Sequence, residues 1–281
     1  MGYLDRIAAC NRFDPARYLT FEVAGSAVGQ VHRDFAEMLR AHRDVFRLGA
    51  DKVALDPALA DFESRSRAVD AVLRRLAEDG IVTGWRDEAY PVAESFSGPA
   101  LMRMERAAVP FFGIPAYGVH LNGIVRTDNG IDMWVAFRSP DKPTFPGMLD
   151  NMVAGGQPIG LGLMENLIKE CWEEASVPAE LAATARPVGA VSYRMEVEMG
   201  LKPDRLFNFD LDLPADFVPV PRDGEIARFE LWPIEEVAAR VRETADFKPN
   251  CNLTVIDFLI RHGVIAPDMP DYLEIVAGLH G

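Results

Sequence analysis

The chain has 281 residues, of which 49% are hydrophobic, 26% charged and 9% aromatic. This balance is typical of a soluble globular enzyme and excludes a disordered or fibrous protein, and the length suggests two domains. The 43 acidic residues outnumber the 29 basic ones and give a net charge of −14. Such a charge argues against binding to nucleic acid or to an anionic membrane through bulk electrostatics, although local cations or a divalent metal ion can still hold phosphates.

Three cysteines, Cys10, Cys171 and Cys251, are too far apart in sequence for a metal knuckle and are odd in number. Neither a disulfide framework nor a structural zinc site is therefore expected, and a reducing cytoplasm is the predicted location. The N-terminus lacks the apolar segment of a signal peptide. Prolines and polar residues interrupt the longest apolar run, 107–125, so no transmembrane helix is expected.

Residues 1–114 are predicted to form a small α+β domain. Loose alternation around two glycines predicts a strand or hairpin over 21–31, and apolar residues at helical spacing predict helices over 33–42 and 62–80. Residues 85–92 are predicted to be extended. The pattern changes around Gly113–Pro115, where the domain boundary is placed.

Residues 115–281 are predicted to form the second domain, with a mixed sheet between helices. Strand-like runs cover 118–126 and 132–138, joined by the turn Asp128-Asn129-Gly130, and a further strand is predicted over 227–232. No internal repeat or low-complexity tract is present, so solenoid architectures are unfavoured.

A glycine-rich loop leads into a helix in this second domain. Gly155 and Gly156 allow close approach of backbone amides to a ligand, so a phosphate could bind where the helix starts. A helical projection places several apolar side chains in one arc, which we expect to pack on the sheet. They are Met164, Ile168, Cys171 and Trp172.

Three glutamates fill the opposite arc of this helix. Glu170, Glu173 and Glu174 stand at positions i, i+3 and i+4, so their carboxylates converge. Mg²⁺ or Mn²⁺ would offset their mutual repulsion, because oxygen ligands suit these ions. The alternative is that the glutamates form only a solvated helix face; the preceding glycines favour the metal hypothesis.

These residues resemble a Nudix box, whose pattern is G-x5-E-x7-R-E-U-x-E-E-x-G-U with U an aliphatic residue. Gly155 aligns with the first Gly, Glu170 with the Glu after the Arg, and Glu173 and Glu174 with the Glu pair. Three positions depart from the pattern, since the first Glu, the Arg and the later Gly are replaced. The replacements are Leu161, Lys169 and Ser176.

The resemblance extends over most of residues 85–281, through the segments 118–123, 137–151, 247–252 and 256–263. It is to a Nudix group similar to the domain fused to fungal thiamine pyrophosphokinases and to certain plant Nudix hydrolases, with an extra N-terminal domain. It implies a Nudix α/β/α sandwich, Mg²⁺- or Mn²⁺-dependent pyrophosphohydrolysis, and a small-molecule diphosphate as substrate. It further implies damaged thiamine diphosphates, cleaved to the monophosphates.

Three charged residues outside the helix are further candidates for the site. Arg138 and Lys142 precede the glycine loop and could contact a diphosphate, although surface ion pairs are the alternative. Glu225 lies in a segment that resembles the one bringing a further acidic residue to the Nudix metal site, as ligand or general base; otherwise it is a turn carboxylate.

Two other functions remain open at this point. An isomerase similar to isopentenyl-diphosphate isomerase needs a catalytic cysteine facing the metal, whereas Cys171 is predicted to face the core. A catalytically silent Nudix-like binding protein would be expected to lack the glutamates, and all three are present. The sequence leaves the oligomeric state open.

Overall fold

The computed structural model describes residues 2–128, 130–198 and 200–281. Asn129, in the middle of the predicted turn, lies outside the described residues. Among the helices of the described ranges, none is long and apolar enough to span a bilayer.

The first part of the chain contains short strands and three helices. In chain order the elements are α1 (Tyr3–Cys10), a short 3-10 turn (Pro15–Arg17), β1 (Tyr18–Val23), β2 (Ser26–His32), α2 (Arg33–Leu39), β3 (Phe46–Leu48), β4 (Lys52–Leu55), α3 (Phe62–Glu78), β5 (Ala89–Val92), β6 (Met102–Glu105) and a 3-10 helix (Arg106–Phe112).

The N-terminal sheet has the strand order β2-β1-β4-β3 and supports its own apolar core. The predicted second helix forms as α3 and buries Val69 and Leu73 against this core. Phe112, at the end of the 3-10 helix, packs its ring against those of Phe21 and Phe46. These contacts bring residues 106–112 next to the start of the second sheet.

The rest of the chain builds the larger sheet and its covering helices. In chain order the elements are β7 (Tyr117–Thr127), β8 (Gly130–Arg138), β9 (Leu149–Asp150), β10 (Val153–Gly156), α4 (Leu163–Ala175), α5 (Ala179–Ala182), β11 (Arg186–Ser192), β12 (Met195–Val197), β13 (Gly200–Lys202), β14 (Arg205–Asp212), β15 (Ile226–Pro233), α6 (Ile234–Glu243), α7 (Pro249–Arg261) and α8 (Tyr272–Gly278).

The larger sheet is mixed. Its main order is β11-β14-β7-β8-β15, in which β14 is parallel to β7 and the other neighbours are antiparallel. On the edge away from β14, β7 pairs with β8 through Ile124–Thr127 and with β10 through Gly118–Leu121. The short strand β10 therefore fills the gap where β7 and β8 separate, and it carries the glycines to that point.

Helices cover both faces of this sheet. One face packs against α4 and α5 through side chains such as Leu167 and Cys171, and the other packs against α1, α6, α7 and α8. The predicted fold class, an α/β/α sandwich with a mixed sheet preceded by a smaller α+β region, is confirmed.

The first helix belongs spatially to the second part of the chain. Tyr3, Ile7 and Cys10 of α1 lie in the same apolar cluster as residues of α7 and α8. The Tyr3 hydroxyl also donates a hydrogen bond to the carbonyl oxygen of Ala238 in α6 (3.3 Å). The first apolar core begins only at Leu19, and the domain division at residue 114 stays a prediction.

Candidate active site

Two side-chain amides fasten the glycine-rich loop to the start of α4. Asn166 is fully buried, and its Nδ2 donates to the Gly156 carbonyl oxygen (2.8 Å) and to Gln157 Oε1 (3.1 Å). Gln157 Nε2 donates to the carbonyl oxygen of Leu161 (2.7 Å). These bonds tie the loop to the helix although Leu161 replaces the first Glu of the box pattern.

Glu174 is the most deeply buried of the three glutamates. It is 5% exposed, and its Oε2 accepts a hydrogen bond from the backbone N–H of Ala154 in β10 (2.8 Å). Burial raises the pKa of Glu174 well above its usual range; the Ala154 hydrogen bond opposes the rise, and the negative charges of Asp150 and Glu170 add to it. The protein therefore places a carboxylate here without a matching positive charge.

Two acidic residues of the loop before β15 join Glu174. Glu174, Asp223 and Glu225 each offer a carboxylate oxygen, and these three atoms lie within 4.8 Å of one another. The Glu225 N–H donates to Asp223 Oδ1 (2.8 Å), which fixes the turn, and burial raises the pKa of Asp223. Glu225 is a residue that the sequence predicted for the site, whereas Asp223, in the same Asp-Gly-Glu turn, was not predicted.

Lys142 reaches the same carboxylates. Its ammonium group forms an ion pair with Glu225 and is largely buried, and the Ser139 N–H donates to the Glu225 carbonyl oxygen (2.8 Å). Burial alone would raise the pKa of Glu225, but the Lys142 hydrogen bond and charge outweigh it, so the pKa lies below its usual value. Glu225 is therefore ionised at neutral pH.

Glu170 and Glu173 point in different directions from α4. A Cβ on Gly155 would lie 2.3 Å from Glu170 Cγ and Cδ, so Glu170 occupies the space that the glycine leaves. Burial raises the pKa of Glu170. Lys169 Nζ lies 3.2 Å from Glu170 Oε1 and 2.6 Å from Glu173 Oε2, and the Glu173 side chain is 45% exposed. Glu170 and Glu174 therefore face β10, whereas Glu173 faces solvent.

Arg138 lies inside the protein, contrary to the expectation of a phosphate contact. Its Nη1 donates to Asp150 (2.8 Å), while Nε and Nη2 donate to the carbonyl oxygens of Phe145 (2.9 Å) and Thr144 (2.7 Å). Every nitrogen of the guanidinium group thus has a protein acceptor. Arg138 shapes the loop that carries Lys142.

The expectation that Trp172 packs on the sheet is wrong. Trp172 is 46% exposed, and the guanidinium of Arg222 lies 4.2 Å from its ring centroid. The buried face of α4 instead runs through Leu167, Cys171 and Ala175. Asn166 and Glu174 form hydrogen bonds with the backbone of β10, so these two polar side chains can be buried there. The helix is therefore oriented with part of its polar face toward the sheet, and Trp172 faces solvent.

A cavity of about 160 Å³ adjoins the glycines on the N-terminal side. A Cβ on Gly156 would lie 1.7 Å from the Tyr90 hydroxyl and 3.5 Å from the Arg106 guanidinium carbon, so both side chains pass over this glycine. Lys202 and Lys248 also line the cavity. These four residues were not predicted from the sequence, because no motif links positions that only the tertiary fold brings together.

Comparison with known proteins identifies the family. A model of a domain of unknown function, DUF4743, matches residues 2–116. Nudix hydrolase 20 and Nudix hydrolase 24 of Arabidopsis thaliana, both chloroplastic, are 42% and 43% identical to the chain, with 98% of this chain and 76% of each relative aligned. A solved structure of DR0079 from Deinococcus radiodurans covers 55% of this chain and 88% of its own, at 21% identity and a TM-score of 0.42.

A glutamate-bearing helix packed on a mixed sheet, with a glycine loop at its start, is the arrangement that the sequence predicted for a Nudix protein. The identity to the two Arabidopsis proteins spans nearly the whole chain. The chain belongs to the Nudix hydrolase family. It is an enzyme that hydrolyses phosphorus-containing anhydrides.

Proposed function

We propose that the enzyme is a metal-dependent pyrophosphohydrolase that cleaves a diphosphate linked to another moiety. The observation that carries this proposal is the cluster of Glu174, Asp223 and Glu225, in which one carboxylate oxygen of each residue lies within 4.8 Å of the others. Glu174 is the buried member of this cluster, and its pKa is raised well above the usual range. Self-repelling carboxylates of this kind are stabilised by a hard divalent cation.

The donor set fits Mg²⁺ or Mn²⁺, because it consists of carboxylate oxygens at the edge of a buried site. We assign Glu174 and Asp223 as ligands, with Glu170 beside them and Glu173 available once it leaves Lys169, and we assign Glu225 as the general base. When bound, such an ion neutralises charge that develops on the diphosphate during cleavage.

The residues of the chain then have separate tasks. Glu225, ionised at neutral pH, accepts a proton from the attacking water at its carboxylate, and Lys142 supplies positive charge beside the diphosphate. Gly155 and Gly156 have no side chains, so substrate can approach the backbone of β10 closely. Arg138 holds the Lys142 loop in position.

The bond changes balance in a simple way. Water oxygen attacks one phosphorus, the bond between that phosphorus and the bridging oxygen breaks, and the bridging oxygen leaves with the other phosphate. One water proton passes to Glu225 and then to solvent. For a diphosphate R–O–PO₂–O–PO₃ the products are the monophosphate R–O–PO₃ and inorganic phosphate.

Thiamine diphosphate or its oxidised forms remain our candidate substrates, on the resemblance to the group fused to thiamine pyrophosphokinases. One feature supports a heteroaromatic moiety. Phe96 is 44% exposed and its ring centroid lies 4.8 Å from that of Tyr117, which lines the cavity at Gly156. An exposed ring beside the site offers a stacking surface.

The alternatives gain no support from the site. Cys171 is fully buried in the core under α4, and burial raises its pKa to about 12. It therefore does not offer the thiolate or thiol near the carboxylates that an isomerase needs. The glutamates that a silent binding protein would be expected to lack are all present.

The location and the partners stay predictions. A cytoplasmic location was predicted from the cysteines, whereas the two Arabidopsis relatives are named chloroplastic. A small-molecule diphosphate is the partner we propose, with no nucleic acid or membrane. The net charge of −14 supports that assignment.

A substrate screen tests the proposed function. Purified enzyme with Mg²⁺ is assayed for phosphate or monophosphate release from thiamine diphosphate, its oxidised analogues, ADP-ribose, NADH and isopentenyl diphosphate. We expect turnover that EDTA abolishes and added Mg²⁺ restores. Full turnover in excess EDTA would contradict metal dependence, and isomerised isopentenyl diphosphate would point to the isomerase instead.

A further inference from the structure

The cavity beside Gly156 has walls from both parts of the chain. Tyr90 and Arg106 come from the N-terminal region, and Lys202 and Lys248 come from the second part. The missing side chain at Gly156 lets the Tyr90 hydroxyl lie against β10, and the Arg106 guanidinium lies beside it. The cavity is therefore assembled only when the two parts are together.

The lining of this cavity is positively charged in a chain that is strongly acidic overall. The lining contains the cationic side chains of Arg106, Lys202 and Lys248 and the acidic side chain of Asp204, which pairs with Lys202 (3.3 Å). Glu88 binds one nitrogen of the Arg106 guanidinium (2.7 Å) and orients the group. The charge of Arg106 acts on both Glu170 and Glu225, so it lies within electrostatic reach of the carboxylates.

The size of the cavity limits what it can hold. Its volume of about 160 Å³ is below the roughly 300–1,000 Å³ of sites that enclose whole organic ligands. It corresponds to about five water molecules at their share of liquid volume. A phosphate group with a few waters fits this space, whereas a whole nucleoside would extend beyond it.

We propose that this cavity binds the free terminal phosphate of the substrate and that Arg106 is its recognition residue. The proposal deepens the proposed function on which it rests, because it assigns the residue that recognises the free end of a diphosphate esterified at one end only. A diphosphate with organic groups at both ends would have to place a second moiety in the phosphate-sized cavity. Tyr90 closes the cavity from the N-terminal side.

Binding without metal tests the proposal independently of turnover. The full chain is titrated in EDTA with inorganic pyrophosphate, ADP and ADP-ribose by calorimetry. ADP and ADP-ribose share one nucleoside, but only ADP has a free terminal phosphate. We expect ADP to bind at least 10-fold more tightly than ADP-ribose, and Arg106→Gln to weaken pyrophosphate and ADP at least 10-fold.

Arg103→Gln is the matched control. Arg103 lies three residues before Arg106, is similarly exposed at 43% against 46%, and likewise pairs with a glutamate, Glu63. It should leave all three affinities unchanged. Arg106→Lys keeps the charge and should recover part of the loss, which separates recognition from misfolding, and thermal unfolding checks both variants.

Different results would overturn different proposals. Equal affinity of wild type and Arg106→Gln for pyrophosphate, no measurable pyrophosphate binding, or equal binding of ADP and ADP-ribose would each overturn the terminal-phosphate site. If Arg106-dependent binding holds but no diphosphate is hydrolysed with Mg²⁺, the proposed function fails and the site stands.

Discussion

Two buried carboxylates of the second part of the chain, Asp150 and Glu174, lie in opposite electrostatic environments. Each belongs to a group of three side chains whose potential ligand atoms lie within 4.8 Å of one another, Asp150 with His120 and Cys251, and Glu174 with Asp223 and Glu225. Arg138 and Lys248 contact Asp150 itself, whereas in the Glu174 group Lys142 pairs with Glu225 and not with Glu174.

Asp150 is surrounded by donors. It accepts from Arg138 (2.8 Å), from the Cys251 thiol (2.6 Å) and from the backbone N–H of Asn151 (2.9 Å), and Lys248 Nζ lies 3.4 Å away. Burial alone would raise the pKa of Asp150, but the charges around it lower that pKa to about 2. This carboxylate is an internal anchor and needs no external cation.

Glu174 accepts one backbone hydrogen bond and faces other acids, so its pKa moves in the other direction. Asp150 and Glu174 thus show how a structural carboxylate can be distinguished from a functional one. Burial is common to both, whereas the sign of the charge that surrounds each differs. The following experiments act on that difference.

Glu174→Gln should have the largest effect on activity. The amide keeps the shape but removes the charge that holds a cation, so we expect turnover to fall by about 10²–10⁴-fold. The free energy of unfolding should stay the same or rise, because a poorly compensated buried charge disappears. Steady-state kinetics and denaturant unfolding measure the two, with Glu180→Gln on the exposed surface as control. A marked loss in the free energy of unfolding with normal activity would show that Glu174 is a structural carboxylate and not a functional one.

Asp150→Asn should mainly affect stability. It leaves Arg138 and Lys248 buried without their anion, and we expect a loss of about 3–5 kcal/mol in the free energy of unfolding. Asp212→Asn removes a carboxylate from exposed ion pairs with Arg126 and Arg186, and it should cost no more than about 1 kcal/mol.

The pH dependence gives this prediction a second test. Because the folded pKa of Asp150 is lowered from 3.8 to about 2, its stabilisation is present above pH 3.8 and is lost as the pH falls toward 2. The stability gap between wild type and Asp150→Asn should therefore narrow over that window. A gap that stays constant would contradict the ionised anchor.

Gly156→Ala probes the contact between the two parts of the chain. The new Cβ would lie 1.7 Å from the Tyr90 hydroxyl, and we expect a loss of about 1–3 kcal/mol in stability from overpacking. Tyr90→Phe removes that hydroxyl and should recover much of the loss in the double variant. Gly162→Ala is the control, because nothing lies within 4 Å of its Cβ. If Gly156→Ala lowered the free energy of unfolding equally in wild type and in Tyr90→Phe, the new Cβ would not be colliding with the Tyr90 hydroxyl.

Trp172→Ala should have the smallest effect. The exposed ring contributes a contact with Arg222, and we expect its removal to cost less than about 1 kcal/mol. Leu167→Ala, on the buried face of the same helix, should cost about 2–5 kcal/mol. Chemical unfolding measures the free energy of unfolding of both variants. A larger loss for Trp172→Ala than for Leu167→Ala would support the packing that the sequence predicted, with Trp172 on the sheet.

The sequence predicted the helix–sheet–helix fold and the glutamate helix because both depend on local periodicity and on one motif. The orientation of that helix was predicted less well. The burial of Asn166 and Glu174 depends on acceptors and donors in β10, and β10 reaches them only by pairing with β7. Hydrophobic periodicity treats such polar residues as exposed, which is why Trp172 was assigned to the core.

The cations of the terminal-phosphate site were beyond the reach of sequence patterns. Arg106 and Gly156 are 50 positions apart, and no pattern links Arg106 to the glycine loop that the sequence predicted. Their meeting depends on the long-range packing of the 3-10 helix that begins at Arg106. Arg138 illustrates the converse, since its position before the glycine loop suggested a ligand contact but its donors all have acceptors inside the fold.

The position of α1 changes how the N-terminal region is attached. Because α1 packs with α7 and α8, residues up to Cys10 belong to the same core as the larger sheet. The chain then forms the N-terminal sheet and returns to the larger sheet at Tyr117. The region is thus a loop-like insertion tethered by two covalent connections rather than an appendage on one. Two connections restrict rotation of this region more than one would, which favours a fixed position of Arg106 beside Gly156. A genetic cut at residue 114 would leave the apolar side of α7 and α8 uncovered.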